Sequence, residues 1–194
     1  MLDQTLKFLA KEVNSYIKYK TGLSDDKVFV SHIIKQDGSM DVPDNSIAFM
    51  LINIEEEHNL NYSRTYNPLD NNKVGLHNPD LGLNLYMFCA ANFNSHEESL
   101  KFLSLVLEFF QGKQDFTSEN SPMLDGSGIE RLDARLHHLS LDQVNNIWSS
   151  IGAKCMPSIM YKIRMAIIQS NRIVAPISRI EEINTNHINK THNK

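Results

Sequence analysis

Cysteine, tryptophan and proline are scarce: two, one and six residues in 194. Two cysteines, Cys89 and Cys155, cannot build a disulfide framework. Both have apolar neighbours, which reads as two reduced, partly buried thiols in a cytosolic protein. Charge of neither sign dominates, since 19 Lys and Arg against 23 Asp and Glu leave a net charge of −4. That balance argues against a basic nucleic-acid-binding face and against a polybasic membrane anchor. Long hydrophobic runs are missing too. The longest, Ile47 to Ile52, suits a buried strand and falls far short of the roughly 20 residues of a membrane span. The first residues, Met1 to Phe8, carry no basic stretch followed by an unbroken apolar run, so no signal peptide is expected.

What is present reads as one strand-and-helix domain. Leu2, Leu6, Leu9, Val13 and Ile17 form one helical stripe that stops at Gly22. Strands are predicted at Val28 to Ile34 and Ser46 to Ile54, separated by an Asp37-Gly38 turn and a Pro43-Asp44-Asn45 loop. Asn59 to Asp80 is polar and Asn-rich, with Pro68 and Pro79, and reads as one long loop. Leu81 to Phe93 reads as a buried strand. Ser95 and Glu98 have capping-box spacing, opening a helix with Leu100, Leu103, Val106, Leu107 and Phe110 on one face. Lys113 to Gly128 reads as loop, and Ile129 to Leu139 fits both strand and helix periods. A second capping box, Ser140 to Gln143, opens a helix with Leu141, Val144, Ile147, Trp148 and Ile151 on one face, ended by Gly152. Ser158 to Gln169 alternates as a strand, and an apolar stretch from Ile173 to Ile183 precedes a polar end. Strands interleaved with about three helices imply an α/β or α+β domain with a mixed sheet.

The scan for chemistry finds failed motifs. His96-Glu97 begins a zinc-protease helix, but position 100 is Leu. Gly112-Lys113 lacks the earlier glycine and the following Ser or Thr of a phosphate loop. No Gly-x-Ser-x-Gly elbow and no Cys-x-x-Cys occur. Glu55-Glu56-Glu57-His58 could ligate a metal, though a strand running out into water explains it more simply. His137-His138 would point to opposite sides of a strand. Asp125-Gly126-Ser127-Gly128 reads as a turn rather than an anion cradle. Trp148 reads as core. No catalytic, metal or cofactor residue is assigned, no cofactor is expected, and an enzyme is not the favoured reading.

Two stretches carry a resemblance. One is Leu83-Asn84-Leu85-Tyr86-Met87-Phe88 with Phe93 and Phe109-Phe110-Gln111. The other runs from Leu139-Ser140-Leu141 through Trp148 and Ser150-Ile151-Gly152 to Pro157-Ser158 and Tyr161-Lys162-Ile163-Arg164. Over residues 3 to 172 the chain resembles the cap, or tail-terminator, family of extracellular contractile injection systems. The motif residues are Leu85, Tyr86, Trp148, Gly152, Pro157, Tyr161, Lys162 and Arg164.

The resemblance implies a phage tail-terminator-like fold, with Ile129 to Leu139 as a strand. It implies a hexameric ring on the baseplate-distal end of inner tube and sheath, with copies of itself and tube and sheath subunits as partners. Neither nucleic acid nor direct membrane insertion is expected. Assembly would be cytoplasmic, in a particle that is released or acts extracellularly. The expected division is a cap domain over 1–172 and a C-terminal arm with polar tail over 173–194. Ile173, Val174, Ile177, Ile180 and Ile183 are the candidate interface, either exchanged with a neighbouring cap or sheath subunit or closing the chain's own sheet. Two other classes compete: a ligand- or metal-binding enzyme domain using Glu55–His58 and the 59–80 loop, and an effector-loading chaperone.

Overall fold

The computed structural model describes residues 1–57, 66–69, 73–77, 81–125, 127–167 and 173–178. Helix α1 spans Leu2–Thr21 and buries Leu6, Leu9, Val13 and Ile17, the stripe read from the sequence. Gly22 ends it at φ 73°, its N–H donating to the Lys18 carbonyl, a left-handed position that glycine occupies without strain. Strand β1 covers only Val28–Val30, shorter than the expected Val28 to Ile34. The chain then leaves the sheet and folds back on itself, bridging Ile34 to Met40 around Gly38 at φ 82°. Strand β2, Ser46–Glu56, runs past Ile54 with an irregularity between Leu51 and Asn53.

The stretch expected as one long loop holds two strands, β3 at Tyr66–Leu69 and β4 at Lys73–His77, paired antiparallel. Its asparagines and Pro68 hid them. Pro68 is tolerated because β3 is an edge strand. Strand β5 covers Leu81–Asn92 and helix α2 covers His96–Gly112.

Two expectations for α2 need correction. Ser95 is its N-cap, but the hydroxyl accepts no cap hydrogen bond. Glu97 and Glu98 in the first turn still suit the positive end of the helix. The buried face is Phe102, Leu103, Val106, Phe109 and Phe110, while Leu100 is 48% exposed. Aromatic rings decide the rotation, because they remove the most area from water. Phe102 stacks on Phe93 at 4.6 Å, and Phe110 meets Tyr161 at 4.4 Å.

Strand β6, Asp115–Thr117, lies inside another expected loop, followed by a short 3-10 turn at Pro122–Leu124. Ile129–His137 is strand β7, which resolves the helix–strand ambiguity as the resemblance implied. Helix α3, Leu141–Ile151, has the full capping box: Gln143 N–H donates to Ser140 Oγ at 3.3 Å, and Ser140 N–H donates to Gln143 Oε1 at 2.9 Å. Gly152 ends it at φ 75°. Trp148 is buried, with Val144, Ile147 and Ile151 partly so, whereas Leu141 in the first turn is 83% exposed. Strand β8 is Ser158–Ile167 and strand β9 is Ile173–Ser178. Cys89 is buried as expected, but Cys155 is exposed and both thiols are free.

Six strands form a mixed sheet in the order β1-β2-β5-β8-β7-β6, parallel only between β1 and β2. Helices α1 and α2 pack on one side, over Ile47, Phe49, Leu85, Met87, Leu132, Ile163 and Met165. Helix α3 packs on the other, over Ala48, Phe88, Ala90 and Met160. Each large side chain so buried stabilises the fold by about 1.5–3 kcal/mol. The fold is therefore α+β, with three α-helices among the described residues. A second sheet has the order β3-β4-β9. The chain divides into one unit of 1–61 with 80–168 and another of 62–79 with 169–194.

Candidate functional site

Alternation along β8 sends Ile159, Tyr161, Ile163 and Met165 into the core under α1 and α2, and Met160, Lys162 and Arg164 to the opposite side. Cross-strand register turns this alternation into rows. Met50, Phe88 and Met160 form an apolar row that ends at His137, with Phe88 against Trp148 at 5.4 Å. Next comes Asn53, Tyr86, Lys162 and Arg135. Beyond it Glu55, Asn84, Arg164, Asp133 and Asp115 cross five strands. One side of the sheet thus passes from apolar residues under α3 to a charged face.

The carboxylates on that face have partners. Arg135 holds Asp133 with two bonds, Nε to Oδ1 at 2.8 Å and Nη2 to Oδ2 at 2.9 Å, and also reaches the Gln114 side chain. Arg131 Nη2 lies 2.6 Å from Asp115 Oδ1, and Arg164 Nε lies 3.9 Å from Glu57 Oε2. Tyr86 donates its hydroxyl proton to Glu55 at 2.8 Å, Lys162 sits 5.8 Å from the Tyr86 ring centre, and His137 meets that ring edge-on. Hydrogen bonding from Arg135 holds the Asp133 carboxyl below its ordinary range. The bond to Glu55 raises the Tyr86 phenol above its ordinary range, because the neutral form is the donor.

Two recesses open on this side. One, about 350 Å³, is lined by Glu57, Gly82, Arg131, Asp133 and Arg164 among others. The other, about 330 Å³, lies between α3 and the sheet, with Ile52, Ile147 and Met160 inside and Asn53, Tyr86, His137 and Gln143 around them. Asn84 is buried in the longest row, and its Oδ1 has no partner among the described residues.

The motif residues divide by task. Leu85 and Tyr161 belong to the core on the α1–α2 side. Trp148 anchors α3, Gly152 ends it, and the Pro157 carbonyl accepts from Ala91 N–H at 3.0 Å at the entry to β8. Tyr86, Lys162 and Arg164 share the charged face. Arg131, Asp133, Arg135 and Asp115 join them there, although sequence reasoning singled out none of these as site residues. The one signal was polar alternation along 131–137.

Ile173, Val174 and Ile177 lie on β9, which pairs with β4 of the same chain, from Lys73 with Ser178 to His77 with Ile173. Ile180 and Ile183 lie outside the described residues, as do His58 and Gly126. The Glu55 and Glu57 carboxylates have the partners given above, and no group of three metal-ligating side chains forms among the described residues. Burial pushes the Cys89 thiol well up, so it is no thiolate. No helix among the described residues is long and apolar enough to cross a membrane. The arrangement is a face of paired charges beside an apolar recess under α3.

The model of the family described as the Pvc16 N-terminal domain matches residues 4–182. No curated protein matches the sequence. The fold is similar to that of the sheath/tube terminator of an extracellular contractile injection system, PVC, in its extended state. The TM-score is 0.63 at 12% identity, over 99% of this chain and 64% of that one. It is also similar to the tube-terminating cap of the anti-feeding prophage, with a TM-score of 0.60 at 13% identity, over 95% of this chain and 60% of that one. The chain therefore spans less than two thirds of the length of either structure.

Proposed function

We propose a capping role from one premise: the chain belongs to the Pvc16 N-terminal domain family, the cap or terminator family of contractile injection systems. In this reading it closes the baseplate-distal end of an inner tube and its sheath as a hexameric ring and stops their growth. The role is structural, not catalytic. Its partners are copies of itself and tube and sheath subunits, met during cytoplasmic assembly of a particle that is released or acts outside the cell. The observation that carries the reading is the likeness over 99% of the chain to a sheath/tube terminator.

Physical features agree with it. A head-to-tail contact whose rotation closes makes a ring. Paired charges on an interacting face fix register and reject wrong partners more than they add affinity. We assign ring or sheath contacts to Ile173, Val174, Ile177, Ile180 and Ile183 as well. Among the described residues, β9 is the outer strand of its sheet and pairs on one side only.

Electron microscopy of particles from cells lacking this chain tests the role. Open distal ends and tubes of uncontrolled length, restored by the wild-type gene, are expected. Capped particles of normal length contradict it.

A further inference from the structure

An end strand presents backbone donors and acceptors, and proteins either block that edge or use it. The two edges of the six-stranded sheet differ in this respect. At β6 the edge is blocked: Asn120 Nδ2 donates to the Asp115 carbonyl at 3.0 Å, Asn120 Oδ1 accepts from Thr117 N–H at 3.0 Å, and Ser121 N–H donates to the Thr117 carbonyl at 2.8 Å.

At β1 the block is partial. Ile47 N–H donates to the Lys27 carbonyl and Ser31 N–H to the Phe49 carbonyl, so odd-numbered residues face β2 and Val28 and Val30 face outward. Asn14 closes Val28, donating to its carbonyl at 2.8 Å and accepting from its N–H at 2.9 Å. The N–H and C=O of Val30 have no partner among the described residues. Phe29 and Val30 are also among the exposed large apolar side chains.

Beside this opening runs a groove of about 510 Å³ between α1 and β1, floored by Val28, Phe29 and Val30. Its wall carries Lys7, Lys11 and Lys18, with Asp26 the one acid lining it among the described residues. The lysines, four and seven residues apart, lie on one helical stripe. Lys7 pairs with Asp3 at 3.4 Å and Lys18 with Asp26 at 2.8 Å, while Lys11 has no ion pair among the described residues. A local cationic wall stands out in a chain of net charge −4.

We propose that the α1–β1 groove binds an extended acidic peptide segment, added as a strand at Val30. Its main chain pairs with Val30, its apolar side chains rest on Phe29 and Val30, and its carboxylates face the lysines. The Asn14 block limits the added pairing to the Val30 end of β1. The inference rests on this geometry and not on the capping role.

The test is titration of the full-length ¹⁵N-labelled chain with a blocked octapeptide of alternating Glu and Val, and with its Lys-Val counterpart. Saturable shifts of the Phe29 and Val30 amides are expected with the first peptide only, weakening as salt rises. Val30→Pro removes the outward N–H without touching a bond to β2, and Lys11→Glu reverses the unpaired charge. Each variant is expected to weaken binding about tenfold or more, with the remaining spectrum unchanged. If Val30→Pro does not fold, Lys11→Glu on the helix surface decides. The proposal is overturned if these amides do not respond, if both peptides bind alike, or if the folded variants bind like wild type. It is equally overturned if the same amides shift with protein concentration alone, which would assign the groove to a second copy of the chain.

Discussion

The Asn14 side chain stands against Val28 as a neighbouring strand would, with Nδ2 2.8 Å from its carbonyl and Oδ1 2.9 Å from its nitrogen. Oδ1 also accepts from Lys27 N–H at 2.8 Å, and the residue is 6% exposed. One carboxamide thus ties α1 to the edge of the sheet. Asn14→Ala leaves these backbone groups without partners and is expected to cost about 3 kcal/mol. Asn14→Asp buries a charge and sets one carboxylate oxygen against the Val28 carbonyl, so at neutral pH it should cost at least as much. Urea unfolding checks the order, and an alanine variant within 0.5 kcal/mol of wild type, well inside the ~1–3 kcal/mol penalty of one orphaned group, contradicts it.

Trp148 fills the space under α3, 4% exposed and edge-on to Phe88, yet its Nε1 has no hydrogen-bond partner among the described residues. Shape, not the N–H, is what the site uses. Trp148→Phe removes the orphan donor and should change stability by less than about 1.5 kcal/mol. Trp148→Ala opens a cavity and should cost about 3–5 kcal/mol. Denaturant titration followed by circular dichroism distinguishes them, since equal losses in both variants would mean the nitrogen matters.

Gly152 tests the backbone alone. An added Cβ meets no atom within 4 Å, but φ is +75°. Gly152→Ala is therefore expected to cost about 1–2 kcal/mol through left-handed strain, and Gly152→Asn less. Ser140→Ala removes one half of the capping box at the other end of α3 and should cost about 1 kcal/mol. Unchanged thermal midpoints in these variants would show that α3 is held by packing alone.

Acid stability should report the paired face. The Asp133 carboxyl is held down by Arg135 in the folded chain, so the unfolded chain binds the proton more readily. Its stabilising contribution is present above the ordinary Asp value of about 4 and fades as pH falls toward the lowered folded value. Asp133→Asn should flatten that part of the stability–pH curve and cost no more than about 1 kcal/mol at neutral pH, as for a surface pair. An identical acid limb in the variant would assign the loss to other carboxylates.

Where one side of an element meets one core, the sequence was readable. The α1 stripe, the β8 alternation and the Ser140 box all appear in the structure. The α2 face was misjudged because Leu100 and Leu107 satisfy the helical period as well as Phe102 and Phe109, and only the facing rings choose between them. β3 and β4 are not legible in the sequence because Asn and Pro dominate 59–80 and the pairing of β4 with β9 is remote in sequence. For the candidate face, Tyr86, Lys162 and Arg164 were visible as motif residues. Their meeting with Asp133 and Arg135 depends on strand register, which no local pattern states.

The capping role is tested most directly by a cryo-EM map of the assembled particle carrying the wild-type chain. Six copies of this six-stranded fold, arranged as a ring on the baseplate-distal end of tube and sheath, are expected. A distal end built without this chain, or this chain elsewhere in the particle, would contradict the role.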